Sequence, residues 1–429
     1  MISTCGAFVI LSFIGGKEME MINERKKVNY QDCMNFSAAR ETLRPVIRDT
    51  PLIHSEVFSE ECGNRVFIKP ENLQVTGAFK IRGAYNKISQ LSDIEKSRGV
   101  IASSAGNHAQ GVALASKLLG VRATIVMPKT TPIIKVEATR SHGANVVLAG
   151  DCYDEAYEEA LRLQEEQGSV FIHPFDDLSV IEGQGTIGVE IFEELNDVDV
   201  VLVPIGGGGL ISGIALAMKA LKPSIKIIGV EPEGAMAMKS SVMEDKVVCL
   251  SHVDTIADGV AVKRPGDMTF DIIREYVDEI VTVSDREIME AFLMMLEKHK
   301  LIAENSGAVS LAGLKRLHMF NKNVVCVVSG GNIDVVTVST MINKGLVSRG
   351  RLFCFSVELP DKPGELLRIS EVLARLNANV IGLDHNQFKN TDRFMNVELE
   401  VTCETSGHAH IEEIQCELAR MGYKVRKVY

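Results

Sequence analysis

The feature that most constrains the fold is a run of four glycines, Gly206 to Gly209, that directly follows a short apolar segment. Residues 200–205 (VVLVPI) are typical of a strand buried in a parallel sheet, and a helix-competent stretch begins at Leu210. Each ordered glycine costs about 0.5–1 kcal/mol relative to alanine, so packing alone is a poor reason for four in a row. Such a strand–glycine–helix junction can aim successive backbone N–H groups at a phosphate.

The glycine tract does not belong to the common nucleotide-binding patterns. Ile211 stands where the dinucleotide pattern Gly-x-Gly-x-x-Gly has its third glycine, and the tract lacks the Gly-Lys-Ser/Thr ending of a P-loop. The sequence therefore indicates a phosphate site for a ligand other than NAD or ATP.

Two further apolar strands also end in small polar residues, at 100–111 (VIASSAGNHAQG) and 324–332 (VVCVVSGGN). Open α/β sheets bind ligands at the carboxyl ends of their strands, and a helix N-terminus there suits a carboxylate. Between these motifs the chain alternates in the manner of α/β proteins, with strands predicted at 122–127, 144–148, 198–204 and 225–230 and helices at 131–142 and 210–221.

One lysine stands out. Residues 71–84 (ENLQVTGAFKIRGA) place Lys80 beside Phe79 at the start of a helix-competent run. A buried lysine with a lowered pKa can form a Schiff base with an aldehyde cofactor and act as a base. A lysine at a helix start is, taken alone, more often a solvated surface group.

Composition excludes several functional classes. A net charge of −11, a pI near 5.5 and the absence of tryptophan argue against a nucleic-acid partner. Nine scattered cysteines without a Cys-x-x-Cys pattern favour reduced thiols, and hence a cytoplasmic location, over disulfides or a zinc site.

No membrane span is expected. Residues 6–16 (GAFVILSFIGG) are apolar but too short to cross a bilayer as a helix, and no basic residue precedes them. We therefore interpret residues 1–28 as an N-terminal extension, disordered or preceding the true start at Met19 or Met21, with an interfacial anchor as the alternative.

In this order and context, the four motifs resemble those of the fold-type II pyridoxal-phosphate enzymes, the tryptophan synthase β family, and within it the threonine dehydratases, over about residues 30–345. The resemblance implies that Lys80 carries pyridoxal 5'-phosphate and is the catalytic residue. It also implies cofactor contacts from Phe79, Asn107 (to the ring hydroxyl), Ser329 (at the pyridine nitrogen) and the backbone of Gly206, Gly207, Gly208, Gly209 and Leu210. The substrate carboxylate would lie on the turn formed by Ser104, Ala105, Gly106, Asn107 and His108.

The resemblance further implies deamination of L-threonine to 2-oxobutanoate and ammonia, and of L-serine to pyruvate. Lys80, once freed, would remove the α-proton. A neutral hydroxyl at Ser329 would leave the pyridine nitrogen unprotonated, which favours loss of a β-leaving group over transamination.

Other reactions of the family fit less well. Serine racemases have a serine, their second acid–base group, where this chain has Ala105, and the Ser-Ala-Gly-Asn-His loop argues against β-replacement. Their divalent-ion pattern is incomplete, since Glu231 is followed by Ala235 and Ala237, so no metal site is predicted. Glu231 is interpreted as a solvent-facing carboxylate, with contact to a monovalent ion as the alternative. A catalytically silent amino-acid sensor is the hypothesis from a different class.

The domain organisation follows from a change of pattern near residue 350. Residues 29–348 are expected to form a two-lobed catalytic domain, with the small lobe at about 68–165. Residues 350–429 predict βαββαβ, with strands at 351–358, 379–384, 395–403 and 424–428 and helices at 365–377 and 410–421. This order and the turn at Asp361 to Leu366 resemble a ferredoxin-like ACT domain, a small-ligand regulatory module.

The resemblance leaves the role of the second domain open between binding a small-molecule allosteric effector and dimerisation. A single copy fits the catabolic enzymes of L-threonine better than the isoleucine-inhibited enzymes of isoleucine biosynthesis. The expected assembly is a homodimer or homotetramer.

Overall fold

A computed structural model describes residues 29–386 and 396–429, so the N-terminal extension predicted for 1–28 lies outside the described residues. The strands are β1 (Ile53–Ser55), β2 (Arg65–Pro70), β3 (Val100–Ser103), β4 (Ala123–Met127), β5 (Asn145–Leu148), β6 (Val170–Phe171), β7 (Val200–Pro204), β8 (Lys226–Pro232), β9 (Glu279–Val283), β10 (Asn323–Val328), β11 (Leu352–Pro360), β12 (Asn379–Asn386), β13 (Asn396–Glu404) and β14 (Val425–Lys427).

The α-helices connect these strands. They are α1 (Phe36–Leu43), α2 (Glu56–Cys62), α3 (Lys80–Ser89), α4 (Asp93–Arg98), α5 (Asn107–Leu119), α6 (Ile133–Ser141), α7 (Tyr153–Gln167), α8 (Leu178–Glu194), α9 (Gly209–Leu221), α10 (Ala237–Met243), α11 (Asp267–Tyr276), α12 (Asp285–Met294), α13 (Asn305–Ala312), α14 (Val335–Ser348), α15 (Glu365–Arg375) and α16 (His408–Arg420).

The large lobe is built on a six-stranded sheet in the order β1-β2-β10-β7-β8-β9, parallel except for β1. Strand β10, inside this sheet, shows why a strand covered on both faces needs a continuous apolar run. Val324, Cys326 and Val328 pack into one core cluster, whereas Val325 and Val327 pack into the cluster on the opposite face. A strand buried on both faces has no position for a polar residue until it ends, so the polar residues concentrate at the strand ends.

The small lobe is built on a parallel sheet in the order β5-β4-β3-β6. Its strands run from Val100 to Phe171, while β2 pairs in the large sheet. Apolar side chains of α3 and α5, such as Ile81 and Val112, fill its core together with the strands. The limits of 68–165 for this lobe stay a prediction.

The C-terminal domain has the strand order β12-β13-β11-β14, with every neighbouring pair antiparallel. Residues of α15 and α16, including Ile369, Leu373 and Ile414, pack with the strands in one core. The predicted α/β fold with a ferredoxin-like βαββαβ unit is therefore confirmed, and the strand and helix ends predicted there lie within two residues of the observed ones.

The helices of residues 29–386 and 396–429 include none that is both long enough and apolar enough to span a membrane.

A buried ionic network fixes helix α3 to the large lobe. The Arg82 guanidinium has no exposed surface and donates to both carboxylate oxygens of Glu71 at 2.8 Å, and it also donates to Glu190 of α8. Lys69 of β2 lies 2.8 Å from the Glu190 carboxylate, and Thr50 Oγ1 donates to Glu71. Lys69 Nζ also lies 3.4 Å from the partly exposed Glu194 carboxylate, so each buried cation has carboxylate partners, which is what allows these charged groups to be buried together.

Removing Arg82 should strongly destabilise the catalytic domain. Arg82→Leu leaves Glu71 buried without its counter-charge, and we expect the free energy of unfolding to fall by about 3–5 kcal/mol. Urea denaturation followed by circular dichroism measures this. Arg140→Leu is the matched control, because the pair that Arg140 forms with Glu137 at 2.7 Å is exposed and should contribute less than about 1 kcal/mol. Equal losses in both variants would contradict a structural role for the network.

Candidate active site

The lysine segment and the end of β10 are joined by backbone contacts. Phe79 N–H donates to the Ser329 carbonyl at 3.1 Å, and Gly331 N–H donates to the Gly77 carbonyl at 2.8 Å. Ala78 and Gly330 form an isolated bridge between the same segments. Two motifs about 250 residues apart in the sequence, Phe79–Lys80 and Ser329, therefore meet at the carboxyl edge of the large sheet, where ligand binding was expected.

Lys80 is the first residue of α3, and its side chain is directed toward the segment that precedes α8. Its Nζ donates to the Pro174 carbonyl at 2.8 Å and lies 5.1 Å from the centroid of the Phe79 ring. Burial lowers the pKa of Lys80 to about 8, although the nearby Glu304 carboxyl opposes this shift. A lowered pKa makes the free amine available near neutral pH, which a nucleophile or a base requires.

The glycine tract forms the N-terminus of α9 and has donors to spare. Within the described chain, the N–H groups of Gly206, Gly207, Gly208, Gly209 and Leu210 donate to no protein acceptor. Gly208 has φ +98°, a backbone conformation that a side chain would strain. The unpaired donors and the positive end of the helix dipole fit a phosphate group.

The loop is held by contacts that do not consume these donors. Thr269 Oγ1 and Gly266 N–H both donate to the Gly207 carbonyl. The Phe175 ring packs so closely that a Cβ at Gly207 would lie 2.2 Å from it. Phe175 follows Pro174, so the segment that binds the Lys80 amine also covers the glycine loop.

The turn at residues 104–108 also ends in an open helix N-terminus. Gly106 precedes α5 without a side-chain cap, and a Cβ there would meet nothing within 4 Å. The Ser104 hydroxyl accepts from Gly106 N–H at 3.2 Å, while the N–H groups of Ala105, Asn107 and His108 donate to no acceptor in the described chain. This geometry suits a small carboxylate.

His108 lies beside this turn but faces the protein interior. It is buried, and its Nε2 lies 2.8 Å from the Ile172 carbonyl. Burial lowers the pKa of His108 to about 3, and the neighbouring Lys80 charge contributes. The imidazole is therefore neutral at physiological pH and links α5 to the strand segment after β6.

Two functional candidates escaped the sequence reasoning, Glu304 and Asn332. Asn107 Nδ2 donates to Glu304 Oε1 at 2.7 Å, and Asn332 Nδ2 donates to Asn107 Oδ1 at 2.8 Å. Asn332 lies in the strand-end motif and could have been selected on that ground, whereas Glu304 follows a loop and has no local signal. Burial raises the pKa of Glu304 to about 8, and the Asp258 carboxylate adds to the shift.

The interpretation of Glu231 as a solvent-facing carboxylate was wrong. Its side chain is fully buried and accepts from the N–H groups of Met238 and Lys239 at 2.9 and 2.8 Å. Burial raises the pKa of Glu231 to about 7. Glu231 therefore caps α10 from inside the large lobe. Among the described residues, no three His, Cys, Asp or Glu side chains are grouped so as to hold a metal ion.

Comparison with known proteins identifies relatives along most of the chain. A family described as "Pyridoxal-phosphate dependent enzyme" matches residues 43–330. The L-threonine ammonia-lyase of Thermotoga maritima is 49% identical over 395 residues, which cover 92% of this chain and 98% of that protein.

Solved structures agree in fold. Threonine deaminase isoform 2 from Solanum lycopersicum, in its processed form, gives a TM-score of 0.70 at 44% identity, covering 73% of this chain and 87% of that one. Maize serine racemase gives a TM-score of 0.69 at 38% identity, covering 73% of this chain and 97% of that one.

The lowered pKa of Lys80 can be tested without turnover. In protein freed of cofactor, labelling of Lys80 by an amine-acylating reagent should reach half of its maximal rate near pH 8, since only the free amine reacts. An ordinary lysine, with a pKa of about 10.4, gains reactivity only at higher pH. Peptide mass spectrometry across a pH series measures both. If labelling of Lys80 rises only with that of ordinary lysines, its burial does not control its ionisation.

Proposed function

The chain belongs to the pyridoxal-phosphate dependent enzymes, and we propose that it deaminates L-threonine to 2-oxobutanoate and ammonia, with L-serine giving pyruvate as a second reaction. Similarity to the L-threonine ammonia-lyase of Thermotoga maritima over nearly the whole chain supports the substrate. The observation that carries the proposal is the position of the Lys80 amine. The amine donates to the Pro174 carbonyl, and the next residue, Phe175, packs against the glycine loop. Helix α3, which begins at Lys80, packs in one core with α5, the helix that follows the 104–108 turn.

The residues present fit the cofactor. The N–H groups of Gly206–Leu210 would bind its phosphate, and the Phe79 ring, which lies beside Lys80, would border its flat ring. Asn107 Nδ2 keeps one hydrogen after its bond to Glu304, which would be available to the ring hydroxyl. Ser329 would offer a neutral hydroxyl to the pyridine nitrogen. When bound, pyridoxal phosphate withdraws electrons from the substrate's α-carbon.

The chain's own groups then handle the substrate and its protons. The N–H groups of Ala105, Asn107 and His108 bind the carboxylate, which fixes the α-carbon against the lysine. Lys80 Nζ, with its lowered pKa, takes the α-proton, and Pro174 orients that amine through its carbonyl. Ser329 offers the ring a neutral hydroxyl and no acid, which would favour elimination of the β-hydroxyl, with the α-proton, as water over transamination.

Selection between threonine and serine is expected to be modest. One methyl group in an apolar pocket is worth about 1–3 kcal/mol, so both substrates turn over. We also propose a cytoplasmic enzyme that forms a homodimer or homotetramer, and an ACT domain at residues 350–429 that binds an amino-acid-sized effector. Helix α15 begins after Gly364, at φ +99°, without a side-chain cap, so its first N–H groups can receive a carboxylate, which supports the last point.

The first test is release of oxo acid by the purified protein with pyridoxal phosphate. L-Threonine should give 2-oxobutanoate, L-serine should give pyruvate, and D-serine should give neither. Lys80→Ala should lower turnover by about a hundredfold to ten-thousandfold, since it removes the base. Lys87→Ala, on the same helix but paired with Asp177 at 2.7 Å, is the control and should retain activity. No oxo acid from L-threonine would contradict the proposal.

A second test concerns Ala105. A methyl group cannot deliver a proton to the substrate face opposite Lys80, whereas the serine found there in serine racemases can. We expect Ala105→Ser to form D-serine from L-serine at a rate that chiral chromatography detects, while the parent forms none. Ala105→Gly, which adds no hydroxyl, is the matched control. Formation of D-serine by the parent protein would remove Ala105 as the reason for lyase specificity.

A further inference from the structure

Glu304 is a buried carboxyl to which the proposed reaction assigns no step. Only 7% of its surface is exposed. It occupies the N-cap position of α13, yet its side chain makes no capping hydrogen bond there. Its carbonyl accepts from Gly307 and Ala308, so the backbone alone begins the helix. The carboxyl is directed instead at Asn107, whose Nδ2 lies 2.7 Å from Glu304 Oε1.

Asn107 is clamped from both ends. Its Oδ1 accepts from Asn332 Nδ2 at 2.8 Å, and the other hydrogen of that Asn332 amide goes to the Thr76 carbonyl at 2.6 Å. Both side-chain N–H groups of Asn332 are therefore used. This determines the orientation of the Asn107 side-chain amide, with its oxygen toward Asn332 and its nitrogen toward Glu304. One N–H of the Asn107 side-chain amide remains unused by these contacts.

The clamp crosses the cleft. Asn107 begins α5, which packs in the small lobe, whereas Glu304 precedes α13 and Asn332 follows β10, both in the large lobe. The same amide that faces the cofactor thus also joins the lobes.

We propose that Glu304 is a positioning residue that fixes the Asn107 amide and thereby sets how tightly the protein holds the ring of pyridoxal phosphate. This inference rests on the proposed function in one respect, the contact of Asn107 with the ring hydroxyl. Among the described residues, the Glu304 carboxyl accepts from Asn107, whereas Lys80 Nζ donates to the Pro174 carbonyl and not to Glu304.

The charges around Glu304 make its effect depend on pH. Asp258, from the turn before α11, opposes its ionisation, while Lys135 of α6 and Lys80 of α3 favour it, and Asn107 donates to it. Lys135 is partly engaged by Asp258, at 3.3 Å. Because burial dominates, the pKa of Glu304 lies at about 8, so the carboxyl is neutral at pH 7 and ionised at higher pH. Ionisation puts a negative charge on the partner of the Asn107 amide, which would weaken binding of the electron-rich ring oxygen at that amide.

The experiment measures the dissociation constant of pyridoxal phosphate for cofactor-free protein by equilibrium dialysis, at about pH 7 and about pH 9, one unit on either side of the pKa. Glu304→Gln keeps an acceptor for Asn107 and cannot ionise. Its dissociation constant should match the parent at the lower pH and should be at least about threefold smaller than the parent's at the higher pH. Glu304→Ala removes the acceptor and should raise the constant about tenfold at the lower pH, as loss of one hydrogen bond predicts.

The comparison between variants separates this role from Lys80. The Glu304 charge raises the pKa of Lys80. Glu304 is neutral at the lower pH, however, and the Lys80 amine is largely free in both proteins at the higher pH, so Lys80 contributes little to the change in the ratio of their dissociation constants. Glu231→Gln is the matched control, since it neutralises another buried carboxyl of the large lobe, one that accepts from the N–H groups of Met238 and Lys239. The ratio of its dissociation constant to that of the parent should be the same at both pH values. Circular dichroism of each cofactor-free variant verifies folding.

Either of two results overturns the inference. One is that the ratio of the dissociation constants of Glu304→Gln and the parent does not change with pH. The other is that the dissociation constant of Glu304→Ala lies within twofold of the parent's. Lys80→Ala is measured in parallel. If that variant binds pyridoxal phosphate as tightly as the parent does, the fault lies in the proposed function and not in Glu304.

Discussion

The arrangement of this active site depends on the buried network of Arg82, Glu71, Glu190 and Lys69. Lys80 stands two residues before Arg82 at the start of α3, so the position of its amine is set by what anchors that helix. The network ties α3 to the end of β2 and to α8, which are parts of the large lobe, while the apolar side of α3 packs in the small lobe. Buried charges tolerate little displacement, because any lost partner leaves an uncompensated charge. Lys80 is thereby held at the boundary of the two lobes.

Most of the candidate binding surface is backbone. Two helix N-termini, those of α5 and α9, present N–H groups that no protein acceptor uses in the described chain, and such N-termini suit a carboxylate or a phosphate. In the proposed reaction, side chains are needed only where a proton must move or a ring must be oriented, which is the role proposed for Lys80, Asn107, Ser329 and Phe79. This division explains why glycine and alanine are so frequent in the motifs: a side chain at Gly207 would collide with Phe175.

Burial also shifts the pKa values of the ionisable groups of the site. Burial lowers the pKa of Lys80 and raises that of Glu304, each to about 8, and it keeps His108 neutral. A pocket with few fixed charges leaves the anionic cofactor and substrate to be bound by dipoles, and a lysine in such surroundings can take a proton instead of remaining an ammonium ion. Burial of these groups where the two lobes meet therefore determines which of them can exchange protons near neutral pH.

The sequence by itself determined the α/β class, the βαββαβ unit, and the strand-end motifs around Lys80, Asn107, Gly206–Gly209 and Ser329. These features are local, since apolar runs that end in glycine and small polar residues specify a strand, its end and the following helix. Only the tertiary structure decided which distant residues meet. The contact of Asn107 with Glu304 spans 197 positions, and Glu231 was misjudged because no local pattern reveals that a carboxylate will be buried against the N–H groups of another helix. Burial and partner choice arise when the sheet assembles, and they are absent from any single segment.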